Sequence, residues 1–293
     1  MKIKVAATST SCLDYYPEEH NIDIIRIKMN IDDKELLDGL DIKAEEFYEK
    51  LRNNPNWIPK TSQPSIGEMV DYFLSLANQG YTHAFVVTIS SKLSGTYNSL
   101  YQASLLVKDK IEVIVFDSKT VCFSEGYIAL EAYNMFKNNC SIEEVLNRLE
   151  YLKNNNTIFF AVDSLTQLVN NGRLSGAQAF FGKMLKIKPI LQVQNDGSIV
   201  AIEKYRNIKK ALKDITNKIN QYTNGKDYYA HILYAGKSPL RDYFIKLLKE
   251  ELNLENLYEA PATPVVGAHI GPDVIGIGIF IKYELPNKGS FYD

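Results

Sequence analysis

The chain has 293 residues, 45% of them apolar and 23% charged, with a net charge of -2 at pH 7. That length accommodates one large domain or two of ordinary size, and the near-neutral balance offers no bulk attraction to nucleic acid. Cys12, Cys122 and Cys140 are too widely spaced for a disulfide framework or zinc knuckle, and no histidine-acid cluster at metal-ligand spacing accompanies them. No stretch approaches the roughly 18 uninterrupted apolar residues of a membrane span. The opening Met1-Lys-Ile-Lys-Val5 leads directly into a β-type run and lacks the organisation of a signal peptide. The expectation is a cytoplasmic protein without metal or cofactor, making at most transient contact with membranes.

In chain order, residues 2–8 and 22–29 read as strands, separated by a hydroxyl-rich loop. Residues 44–51 read as a helix and 53–60 as irregular. Ser65 and Glu68 have capping-box spacing at the start of a helix in which Met69, Tyr72, Phe73 and Leu76 recur at helical intervals. A buried strand at 84–89 precedes a Ser- and Gly-bearing loop, then a helix over 96–107, a strand at 113–116 and a helix over 123–136. Ser141 and Glu144 repeat the capping-box signal for a helix ending near Leu152. Apolar strands alternating with helices predict a parallel sheet covered on both faces, with ligands at the loops that follow its strands.

The pattern changes after the polar run Asn154 to Asn156. Residues 157–163 read as strand, 175–185 as helix and 189–193 as strand, and Asn195-Asp-Gly197 signals a tight turn into a strand over 198–203. Residues 207–222 read as helix, 229–234 as strand, and Ser238-Pro239 opens another helix. Glycine and isoleucine alternate over 275–281, predicting a strand with one crowded face. The expected architecture is two α/β domains, residues 1–155 with a parallel sheet and 156–293 with a mixed or antiparallel one, with the ligand between them.

Four short polar segments stand out: Thr61-Ser-Gln-Pro64, Ser90 to Thr96, Asn171-Gly-Arg173 and Ala268-His-Ile-Gly-Pro272. Together they supply hydroxyls, backbone amides, an imidazole and a guanidinium, groups suited to an oxyanion. Thr61 and Ser62 precede the helix capped by Ser65, whose start would favour an anion. Gly95 permits close backbone approach, while Ser91, Ser94 and Thr96 offer donors. The loop lacks the glycine spacing and lysine of a nucleotide-phosphate loop. Read singly, each segment is equally open to ordinary capping, turn or core roles. His20, His83 and His231 carry no catalytic pattern. A small-molecule hydrolase or acyl-transfer enzyme using a serine with His269 stays open, although a nucleophile elbow is missing.

In this order, along nearly the whole chain, these segments resemble the DegV family of fatty-acid-binding proteins, which includes the FakB subunits of bacterial fatty acid kinase. Val162-Asp-Ser-Leu165, Lys188-Pro-Ile-Leu191 and Gly267 to Pro272 extend the resemblance. It implies a non-catalytic carrier that holds a long-chain fatty acid in an interdomain tunnel and presents it to a separate ATP-binding kinase, which forms the acyl phosphate. It places Thr61, Ser62, Ser94 and His269 at the carboxylate. Arg173, Arg206 and Gly95 become secondary head-group or partner contacts, and Phe180, Phe181, Met184 and Leu185 candidates for the tunnel wall. The family usually reads Thr-Asp-Ser-Thr-Ser-Asp-Leu near its N-terminus. This chain reads Ala7-Thr-Ser-Thr-Ser-Cys-Leu13, so Thr8 and Cys12 replace two aspartates and Asp14 is the nearest acid in sequence.

Overall fold

The computed structural model describes residues 1–32, 34–176 and 187–283. Its elements follow as β1 (Ile3–Thr8), β2 (Asp23–Ile25), β3 (Lys28–Ile31), β4 (Lys34–Leu37), α1 (Ala44–Asn53), β5 (Lys60–Ser62), α2 (Ile66–Asn78), β6 (His83–Thr88), α3 (Thr96–Leu106), β7 (Glu112–Asp117), α4 (Phe123–Lys137) and α5 (Ile142–Asn154). The remainder comprises β8 (Asn156–Ala161), α6 (Thr166–Asn170), β9 (Lys188–Val193), β10 (Ile199–Tyr205), α7 (Ile208–Thr223), β11 (Tyr228–Tyr234), α8 (Pro239–Leu252), β12 (Tyr258–Pro261), α9 (Pro264–Ile270) and β13 (Ile275–Ile281).

The first sheet has the order β2-β1-β6-β7 and is wholly parallel. Its central strands are apolar on both faces because both are covered. Ala6 and Val86 pack with Phe73 of α2 and Leu100 of α3, while Val5, Ala7, Phe85 and Val87 join the core that includes Ile128 of α4 and Leu149 of α5. The capping boxes expected at Ser65 and Ser141 are both present. The expected strand at 22–29 is instead two strands in different sheets, divided at Arg26-Ile27. β2 extends the parallel sheet, whereas β3 is the centre of a small antiparallel sheet ordered β4-β3-β5. The polar termini of these short strands concealed the break.

The second sheet, β10-β9-β8-β13-β11-β12, is mixed: only the β11–β12 pair is parallel. The turn at Gly197 joins β9 to β10 as the Asn-Asp-Gly signal requires. Along β13, Ile275, Ile277 and Ile279 face the core of α7 and α8. Gly276 and Gly278 occupy the opposite face, where a Cβ would fall 2.5 Å from Phe160 Cβ at the first and overlap the His231 ring at the second. The glycines thus allow α4 of the first half to approach the second sheet. The larger core runs without interruption from Val5 and Leu149 through Ile158, Phe160 and Leu233, so the two sheets share it. Most of the helix expected over 175–185, with Phe180, Phe181, Met184 and Leu185, lies outside the described residues.

Candidate functional site

Where the halves meet, a cavity of about 290 Å³ is bounded by Ile27 and Ile89 on one side and by Ile158, Phe160, Val193 and Leu233 on the other. This is close to the lower end of small-molecule pockets, about 300 Å³. All four polar segments reach its wall: Thr61 and Ser62 from β5, Ser94 and Gly95 from the loop after β6, Arg173 from the turn after α6, and His269 from the last turn of α9.

Hydrogen bonds tie these segments together. Thr61 Oγ1 lies 2.9 Å from His269 Nε2. Lys60 Nζ donates to Asn171 Oδ1 at 3.2 Å, and Asn171 Nδ2 donates to the Ala268 carbonyl at 3.0 Å. Arg173 donates from Nε to the Leu93 carbonyl at 3.2 Å and from Nη1 to the Asn171 carbonyl. These partners are neutral, and among the described residues no carboxylate forms an ion pair with Arg173 or Lys60. Burial, reinforced by the Arg173 and Lys60 charges, depresses the His269 pKa to about 4, so the ring is neutral at pH 7.

Of the buried side-chain polar atoms without a partner among the described residues, Ser62 Oγ and His269 Nδ1 are the ones whose residues line the cavity. Such groups are costly unless something else satisfies them. In either imidazole tautomer the Thr61–His269 pair retains one hydrogen to give. If Nε2–H donates to Thr61, the threonine hydroxyl proton is available; if Nε2 accepts from Thr61, Nδ1–H is available. With Ser62 and the uncompensated Arg173, the wall is suited to receive an anion, and the exposed Lys60 adds its charge from outside the cavity.

The position of α9 explains why His269 points here. Pro264 begins the helix, and the Val265 N–H donates to the buried Asp38 Oδ1 at 3.1 Å. Gly267 allows α1 close, since a Cβ there would sit 2.6 Å from Tyr48 Oη. Gly271, at φ 82°, ends the helix one turn later.

Several expectations need correcting. Thr61 and Ser62 belong to a strand, the Ser65–Glu68 capping box takes up two of the N–H groups at the start of α2, and residues 65–68 do not line the cavity. Ser91 turns outward to Asp117 Oδ2 at 2.6 Å. Thr96 is buried and its hydroxyl lies 2.8 Å from Ser94 Oγ. Arg206 is exposed between β10 and α7 and does not line the cavity. Asp14 is engaged by Arg26 at 2.5 and 2.8 Å. The acid beside Thr8 is Glu125 of α4, distant in sequence, which also bonds Thr10 in the cavity wall. Lys60, the cation preceding Thr61-Ser62, was not singled out from the sequence; Gln63 lay within the Thr61–Pro64 segment and Thr10 within the hydroxyl-rich N-terminal loop, but neither was given a role of its own.

The family described as "Uncharacterised protein, DegV family COG1307" matches residues 2–282. The chain belongs to the DegV family. It is 32% identical to a DegV domain-containing protein of Clostridium acetobutylicum, across 94% of this chain and 98% of the relative. It is 34% identical to one of Listeria monocytogenes, across 96% and 99%. Among solved structures, DegV of Bacillus subtilis, a fatty acid binding protein, has TM-score 0.82 at 32% identity, covering 96% of this chain and 100% of that one. A stearic acid-binding protein from Eubacterium ventriosum has TM-score 0.86 at 29% identity, covering 97% and 99%. Among the described residues of this DegV chain no helix is long and apolar enough to cross a membrane.

Proposed function

We propose that this protein is a non-catalytic carrier that holds a long-chain fatty acid with its carboxylate against Thr61, Ser62, Ser94 and His269 and its tail among the apolar side chains of both halves. The observation that carries this reading is the coincidence, in one largely apolar cavity, of two orphaned buried polar atoms with a guanidinium, that of Arg173, which has no carboxylate partner among the described residues. Fatty-acid binding by structural neighbours of similar length supports it. Each buried CH₂ contributes about 0.8 kcal/mol, so the tail supplies affinity, while the buried carboxylate needs several donors to offset lost hydration. The serine-hydrolase reading is disfavoured because His269 bonds Thr61, and its other nitrogen meets no orienting acid among the described residues.

In the fuller form of this proposal, residues 1–155 and 156–293 act as two domains clasping the acid, and the cytoplasmic carrier presents it to an ATP-dependent kinase subunit. Arg173 and Gly95 then lie at the head group, and the exposed Arg206 is left as a partner contact. Native mass spectrometry with organic extraction tests the first step: a retained long-chain acid is expected, and an apo mass that also refuses added oleate and palmitate rejects the carrier. Trapping acyl phosphate as hydroxamate, with ATP and a purified fatty acid kinase subunit, tests the second.

A further inference from the structure

Glu125 is fully buried in the first turn of α4, and the proposed function does not use it. Its Oε1 contacts Thr8 Oγ1 and accepts the Thr8 N–H at 3.2 Å. Its Oε2 lies 2.6 Å from Thr10 Oγ1, and the two threonine hydroxyls are 2.8 Å apart. The Ile89 N–H donates to Thr8 Oγ1 at 3.2 Å. The carboxyl and two hydroxyls therefore form a closed ring with three oxygen-to-oxygen contacts. Each contact needs a hydrogen, and the threonines own two. An ionised Glu125 would leave two lone pairs facing each other; a protonated one supplies the third hydrogen and closes the ring.

We propose that Glu125 is a positioning residue that retains its proton while ligand is held: as a neutral acid it fixes Thr10 in the cavity wall and keeps a second negative charge away from the bound carboxylate. This deepens the carrier reading and rests on it. Burial raises the Glu125 pKa to about 8, the threonine bonds pull it down, and the Asp38 charge pushes it further up. α4 packs against β1, the Ser9–Ser11 turn, β6, α5 and β13. On those elements Lys4 is paired with Asp23, His83 with Glu112 and Arg148 with Glu131, while β13 carries no titratable side chain. Nearby, the Cys12 thiol is raised by burial, and His231 is held neutral by burial, at about 3. Asp38 is raised to about 6 and His269 is lowered to about 4, so both complete their titration largely below pH 7.

Two measurements test this on the intact protein. Carbon-13 NMR of the Glu125 carboxyl, assigned through its backbone, should show a neutral acid at pH 7 that ionises near pH 8; a carboxylate shift at pH 7 overturns the proposal, whether or not lipid binds. Titration with fluorescent cis-parinaric acid should show wild-type affinity falling about tenfold between pH 7 and 9.5, the order expected for a like charge in a partly shielded interior. The Glu125→Gln profile should be flat, whatever its absolute affinity. An equal fall in both proteins, or no fall in either, overturns the role assigned to Glu125. If wild type binds no fatty acid at any pH, the carrier reading fails and with it the ligand role, while the carbon-13 titration separately decides the protonation state.

Discussion

The loops at the carboxyl ends of β1, β6 and β7 and the wall formed by β5 and α9 differ in where their unpaired polar groups lie relative to the cavity. In the first region Thr8, Ser9, Thr10, Ser90 and Ser118 are buried and partnered, with Glu125, the Ile27 N–H, the Gly197 carbonyl and the Thr88 carbonyl, while the buried Ser11 and Thr120 hydroxyls are unpaired among the described residues but do not line the cavity. In the second, polar groups are fewer, yet Ser62 Oγ and His269 Nδ1 are orphaned beside the cavity. A dense set of hydroxyls can serve only to hold a fold together. The candidate ligand site is marked by groups that both lack a partner and line the cavity. Two histidines make the same point: the buried His231, edge-on against Phe123 and beside Ser124, is a core residue, whereas the half-buried His269 lines the cavity.

The strongest way to break that contrast is to remove the unsatisfied groups. His269→Ala and Thr61→Ala should each lower fatty-acid affinity about 10- to 100-fold, the range for one hydrogen bond to a charged group. Fluorescent-acid titration reads this, and unchanged affinity in both would move the carboxylate elsewhere. Gly267→Val forces a side chain into Tyr48 and Phe47 and shifts the helix that carries His269. A stability loss of about 1–3 kcal/mol in urea unfolding is expected, together with weaker binding. Binding preserved in a folded variant would mean that the placement of α9 is not critical.

A pH series sharpens the contrast from the partnered side. Glu125 has a folded pKa of about 8, above its unfolded value, so the native state holds the extra proton between them. The Glu125 contribution to stability should therefore fall across that interval, from about pH 4.5 to 8, by about 1.4 kcal/mol per pH unit at most, and level off above. Glu125→Gln should remove that slope. The histidines, lowered by burial, contribute the opposite trend, with stability rising between about pH 4 and 6.5, where their unfolded forms bind protons. The smallest expected effect is that of Ser118→Ala. It removes the 2.6 Å bond to the Thr88 carbonyl and should cost about 1 kcal/mol in stability without altering affinity. A change in affinity would show that the partnered network also tunes the site.

Much of the fold was legible because its signals are local. Both capping boxes, the Asn-Asp-Gly hairpin, the Ser238-Pro239 helix start and the glycine-isoleucine strand follow from residues a few positions apart. The short strands β3, β4, β5 and β12 and the helices α6 and α9 were not identified, since fragments of three to seven residues are stabilised by their neighbours and carry little periodicity of their own.

The candidate site divides along the same line. Sequence by itself determined the stock of groups: hydroxyls at Thr61, Ser62 and Ser94, an imidazole at 269, a guanidinium at 173, and no metal-binding pattern. It could not determine which of them remain unsatisfied, because that depends on partners far along the chain. Only the tertiary structure decided that Ser91 turns to Asp117 while Thr61 meets His269, and that the acid beside Thr8 comes from α4. Hydrogen-bond satisfaction, desolvation and position relative to the cavity are properties of the packed interior, which is why the stock of polar groups alone did not locate the site.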